Sequence, residues 1–166
     1  QYFRDSRILP IYEGTNGIQA LDLLGRKIFL DNGRTFDKVI FEIEDTISKC
    51  ILSKNIDINS IGNNLTLAKD NLKVSCNWLK EVYENHPQKA AAGATPFLNM
   101  FGWILGGWVM ANSSLKSQKI LKKKSDDVFF INKIKTALFF SDTYLPLASA
   151  QKSTILNSHK TINIIN

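Results

Sequence analysis

The chain has 166 residues, 44% of them hydrophobic and 22% charged, enough to bury a core and too apolar for a disordered tail. Its net charge of +6 is densest over residues 116–124 (KSQKILKKK), directly before Ser125, Asp126 and Asp127; this reads as a solvated basic loop and not as a nucleic-acid face. Cys50, Cys76, His86 and His159 are spaced for neither a metal site nor a disulfide framework, so buried thiols in a reducing, cytoplasmic setting are expected.

Residues 1–14 read as an irregular or short helical lead ending near Pro10. A first helix is predicted over 16–30, capped by Thr15 or Asn16, with Ile18, Leu21, Leu24, Gly25 and Ile28 at helical spacing. A second spans 35–52, capped by Thr35, its apolar stripe made of Phe36, Val39, Ile40, Ile43, Ile47, Cys50 and Ile51. Residues 54–63 (KNIDINSIGN) are polar and read as a connection. A third helix runs over 64–85, with Leu65, Ala68, Leu72, Cys76, Leu79 and Val82 or Tyr83 inward.

His86-Pro87 breaks the chain, and a fourth helix follows over 88–118, with Pro96 expected to kink it. Its run from Phe97 to Ala111 has Asn99 as its one polar residue. That is short of the about 20 apolar residues a membrane span needs, so a central bundle helix is predicted, with Gly102, Gly106 and Gly107 letting neighbours approach. Phe101, Trp103, Leu105 and Val109 are expected to be buried against the second and third helices. Ser125 or Asp126 caps a fifth helix over 127–145, with Phe130, Ile134, Ala137, Leu138 and Leu145 inside and Pro146 at its end. The fold class is all-α: an antiparallel bundle of four long helices plus shorter ones, with no strand pattern, repeat or phosphate loop.

Chemistry concentrates near the start. Glu13 precedes Gly14, and Gly14 precedes a helix N-terminus whose free N–H groups and dipole favour an anion. Gly14 permits close ligand approach and Thr15 offers a hydroxyl. On these features alone, a ligand site and a plain helix start both stand.

The longer stretch RDSRILPIYEGTNGIQALDLLGRK resembles the signature of the acyl-CoA dehydrogenases, an Arg-Asp pair followed by I-Y-E-G-T-x-x-I-Q. It is similar above all to the subfamily that includes the 3-methylmercaptopropionyl-CoA dehydrogenases. ATPFLNMFGWILGGWVMA and KIKTALFFSDTYLPLAS resemble that subfamily's later motifs, so the likeness covers most of the chain. It implies FAD as cofactor and α,β-desaturation of an acyl-CoA thioester, with Glu13 as the base that takes the α-proton and the hydride passing to flavin. It also implies Gly14 at the substrate and Thr15, Asn16 and Gly17 at the FAD.

Arg4 and Asp5 match the family and are read as structural salt-bridge or capping residues. Residues 1–30 would end a flavin-binding helical domain and 31–166 would form the C-terminal bundle. An acyl-CoA substrate, an electron-accepting flavoprotein and a homo-oligomer are the implied partners, with no metal, nucleic acid or membrane span. Starting without Met inside a motif, the chain reads as part of a longer enzyme, inactive alone and with residues 1–14 poorly packed. The alternative is a non-catalytic helical module for oligomerisation or interaction.

Overall fold

The computed structural model describes residues 1–9, 11 and 15–160. Among these the chain is helical throughout its regular parts and carries no strand. The elements are α1 (Tyr2–Ser6), α2 (Asn16–Asp22), a π-helical segment (Leu23–Ile28), α3 (Arg34–Ile51), α4 (Ile56–Asn85), α5 (Pro87–Ala92), α6 (Ala94–Leu121) and α7 (Val128–Asn157).

Four of these are long, and their polar cross-links fix the directions. Glu44 meets Lys69 and Lys80 reaches the carbonyl of Asn32, so α3 and α4 run antiparallel. Phe36 lies beside Phe101 and Ser53 beside Gln118, which makes α3 and α6 parallel. Lys135 bonds Asp57, Asn64 bonds Asp142 and Lys152 bonds Asn71, so α4 and α7 are parallel as well. The outcome is an up-down-up-down bundle in which α4 and α6 form an inner pair, flanked by α3 on one side and α7 on the other. The expected antiparallel bundle is present, and short connections do pack sequence neighbours together.

The core follows the periodicity. Phe36, Ile40, Ile43, Ile47 and Cys50 of α3 are buried against Ile58, Ile61, Leu65, Leu72, Cys76 and Leu79 of α4 and against Phe97, Met100 and Ile104 of α6. Each such aliphatic or aromatic side chain contributes about 1.5–3 kcal/mol on leaving water. Gly62 sets the α3–α4 distance: an added Cβ there would lie 2.8 Å from the Cβ of Cys50. Gly106 and Gly107 do the same between α6 and α7, where a Cβ would come within 2.7 Å of Phe140 and of Leu145. Gly102 faces open space and sets no approach.

Several boundaries differ from the sequence expectation, each for a local reason. Helix α4 begins at Ile56 inside the stretch read as a connection, because the Asn55 side chain caps it by accepting from Ile58 N at 3.1 Å. Thr35 is not the cap of α3. Gly33, with φ 87°, takes that place, and the Asp31 carboxylate accepts from both the backbone N and the hydroxyl of Thr35. The break before α6 falls at Gly93, and Pro96 does not kink the helix. It occupies the first turn, where an N–H has no intrahelical acceptor to lose. Asp127, not Ser125 or Asp126, caps α7 through Phe129 N.

Pro146 does not end α7, which continues to Asn157; the ring lies on the exposed side. Of the basic run, residues 116–121 are the end of α6 and not a loop, whereas Lys122, Lys123 and Lys124 lie exposed in the turn that follows, as expected. Phe101, Trp103 and Leu105 are only half-buried and Val109 is 59% exposed. The reason is the packing partner: α6 leans chiefly on α7, leaving one side open. Leu24 and Ile28 are buried as expected, whereas Ile18 and Leu21 face outward.

Candidate functional site

The sequence stretch from Ile11 to Gly17, singled out by its resemblance, leads into α2. Glu13 and Gly14 lie outside the described residues, as do Pro10 and Tyr12. Thr15, Asn16 and Gly17 lie within them, and all three are exposed. Thr15 is the N-cap residue in a left-handed conformation (φ 62°, ψ 11°), and its carbonyl accepts from Gln19 N at 2.7 Å. Its side chain makes no capping bond. The first N–H groups of α2 and the Thr15 hydroxyl therefore point to no partner among the described residues. A Cβ at Gly17 would meet nothing within 4 Å, so the backbone there is open to close approach.

Around this entry the lead is unpacked. Helix α1 buries no residue, and Tyr2 (92% exposed) and Phe3 are turned to solvent with Ile8, Leu9 and Ile11. The expectation of a poorly packed lead holds for residues 1–9 and 11. Arg4 and Asp5 do not pair: Asp5 accepts from the Gln1 side chain at 2.9 Å, and Arg4 forms no ion pair among the described residues.

Helix α2 packs on α6 with Ala20 buried, and the π-helical segment behind it adds a second anchor. A single wider turn rotates Leu24 and Ile28 into the core, and Gly25 sits where a Cβ would be 3.0 Å from the Tyr83 hydroxyl. Phe29 completes the contact, its ring 5.3 Å from that of Tyr83. The motif is thus tied to the far end of α4. The sequence pattern of 16–30 gives no sign of this π-helical turn.

Elsewhere the chemistry is structural. Cys50 and Cys76 are free and buried, and burial pushes their thiols up to about 11 and about 12; neither is a nucleophile at neutral pH. Among the described residues no group of His, Cys, Asp and Glu could hold a metal ion. No helix among them is long and apolar enough to cross a membrane. The Trp108 indole donates to Thr46 Oγ1 at 2.9 Å, which Asn112 shares at 3.2 Å, a buried polar link between α3 and α6.

Comparison with known proteins adds the family. A family model described as acetyl-CoA dehydrogenase C-terminal like matches residues 39–164. The chain is 37% identical over 161 residues to a 3-methylmercaptopropionyl-CoA dehydrogenase of Ruegeria pomeroyi, covering 95% of the chain and 27% of that protein. It is 26% identical to the broad-specificity linear acyl-CoA dehydrogenase FadE5 of Mycobacterium tuberculosis, over 93% of the chain and 26% of the relative. To a butyryl-CoA dehydrogenase of Syntrophomonas wolfei it is 26% identical, over 86% of the chain and 24% of the relative. No solved structure matches. The chain spans about a quarter of the length of the curated relatives it matches. With an all-helical bundle in place and the matched region running through α3 to α7, the chain belongs to the acyl-CoA dehydrogenase C-terminal-like family.

Proposed function

We propose that this chain serves in an FAD-dependent acyl-CoA dehydrogenase that desaturates an acyl-CoA thioester between its α and β carbons. The observation that carries the reading is the stretch IYEGTNGIQ at residues 11–19, in a chain aligned over 95% of its length with a relative named as a dehydrogenase. Residues 1–30 end the flavin-binding region on this reading, and 31–166 form the C-terminal bundle.

The exposed entry of α2 fits a cofactor's anionic part. N–H groups with no cap, a hydroxyl with no partner among the described residues and a glycine with open space beside it are what such a group needs. Thr15, Asn16 and Gly17 would hold FAD, which when bound supplies the hydride acceptor. Glu13 would take the α-proton of the thioester, and a carboxylate shielded from water beside its substrate has its pKa moved toward neutrality, where it is a better base. Gly14, lacking a side chain, would let the thioester approach. The same reading brings an acyl-CoA substrate, an electron-accepting flavoprotein and assembly into a homo-oligomer.

The test is Glu13→Gln in the intact dehydrogenase. FAD should stay bound, while anaerobic bleaching of the flavin by acyl-CoA should slow by a factor of about a hundred or more, the scale of a lost general base. Bleaching at the unaltered rate would place the base elsewhere.

A further inference from the structure

The most concentrated charge without an internal partner lies at the other end of α4 from the motif. Gly25 and Phe29 pack at Tyr83, in the last turn of α4, whereas the cavity in question is lined by Ser53 and Lys54, just before its first. The 30 residues of α4 separate the two by about 45 Å. This cavity, of about 550 Å³, is formed by the α3–α4 turn and the final turns of α6. Four lysines line it, Lys49, Lys54, Lys119 and Lys122, and none of its lining residues is acidic.

Only Lys49 is neutralised, by Asp45 one turn earlier. Lys54, Lys119 and Lys122 enter no ion pair among the described residues. A favourable helix dipole accounts for one lysine in the last turn of α3 and one in the last turn of α6. It does not account for four lining one cavity, whose exposed side chains are free to turn toward a bound anion.

The uncharged lining is arranged for the same kind of guest. Ser53 Oγ accepts from Asn55 N at 3.1 Å and from Gln118 Nε2 at 2.8 Å. Both of its acceptor positions are then used, and its hydroxyl hydrogen is left to donate. Leu52, 83% exposed, and Leu115 supply an apolar wall. The volume falls within the range of about 300–1,000 Å³ typical of small-molecule pockets and well beyond a single inorganic anion.

We propose that this cavity binds a small polyphosphate-bearing ligand, its phosphates on the lysines and Ser53 and its organic part against Leu52 and Leu115. The inference is independent of the dehydrogenase reading, since no residue of the motif takes part.

Titration calorimetry on the chain in low-salt buffer tests it, with ADP and inorganic tripolyphosphate as probes. One site per chain is expected, weakening as salt rises because released counterions drive the ion pairing. Lys119→Glu and Lys54→Glu should each weaken binding at least tenfold, and Lys119→Gln less so. Lys133→Glu, on α7 over the Phe129 ring, should leave it within twofold. Melting temperatures of all variants show whether they fold. ADP bound more tightly than tripolyphosphate identifies an organic ligand; equal affinity identifies free polyphosphate chemistry at the same lysines. No heat from either probe, or binding indifferent to Lys54 and Lys119, overturns the proposal. So does a decamer of single-stranded RNA binding a hundredfold tighter than ADP, which would reassign the lysines to nucleic acid.

Discussion

Two threonines show how differently a residue can be employed. Thr15 is β-branched yet left-handed, and it receives no capping bond in return; such a conformation costs on the order of 1 kcal/mol. Thr15→Gly should therefore raise the stability of the chain by about 1 kcal/mol, measured by urea unfolding. In an intact dehydrogenase the same change should lower FAD occupancy, because the hydroxyl is gone. A Gly variant less stable than the parent would mean the side chain already has a partner. Thr46 is the opposite case. It is buried, donates to the Glu42 carbonyl and accepts from Trp108 and Asn112. Thr46→Val keeps the shape and orphans an indole N–H, at a cost of about 1–3 kcal/mol. Tryptophan emission that keeps its wavelength, with unchanged stability, would show that water replaces the threonine.

At the scale of elements, helix pairs meet through small residues and half-buried charge. Gly106 admits the Phe140 ring, so Gly106→Leu should overpack the α6–α7 seam and cost about 1–3 kcal/mol. Gly102→Leu, with open space around it, is the matched control and should cost less than half as much. Between α3 and α4, partial burial alone would push Glu44 up. The hydrogen bond and charge of Lys69, with the charge of Lys73, outweigh it and hold the carboxyl below its ordinary 4.5. Burial likewise opposes the charge on Lys69, but Asp70 and Glu44 keep its pKa above 10.5. A depressed carboxyl contributes stability that is present above its unfolded pKa and lost as pH falls through the folded one. A raised lysine contributes stability lost only as pH climbs past about its own folded value. Stability should thus be flat from about pH 6 to 9 and fall below about pH 4.5, and Glu44→Gln should shallow that acid limb in chemical denaturation curves.

The same pair of helices shows what the sequence makes legible. The stripe from Phe36 to Cys50 is plain because every buried position repeats at helical spacing and the charges fill the other faces. The first two turns of α4 are hidden by Asn, Asp and Ser, although Ile58, Ile61 and Leu65 already mark the buried face and Asn55 the cap. Pro146 misleads for another reason. Its ring faces solvent, so the one lost hydrogen bond falls where water can serve the freed Asp142 carbonyl. In the candidate site, the motif is legible as a string of residue types. The π-helical turn behind it is not, because it is set by contacts with Tyr83 and the core that no local pattern encodes, and no residue type around Thr15 announces its left-handed backbone.

Whether the bundle behaves as one body can be read from its two thiols. Cys50 lies where α3 meets α4 at Gly62, and Cys76 lies two-thirds of the way along α4. Both are buried, and burial holds them to about 11 and about 12, so at pH 8 neither is reactive while the chain is folded. The inner pair α4 and α6 contacts both flanking helices, so opening α4 requires breaking the packing on every side. Helix α3, by contrast, is held on α4, α6 and the π-helical segment, by one stripe of side chains, the Glu44 ion pairs and the Thr46 link. If the molecule opens as a unit, both cysteines should label with a disulfide reagent at the same rate relative to their unfolded rates, and across a urea series both should follow the global unfolding curve. Single-cysteine variants, Cys50→Ala and Cys76→Ala, separate the two signals. Labelling of Cys50 that runs ahead of Cys76 at low urea would show that α3 peels away while α4, α6 and α7 stay together.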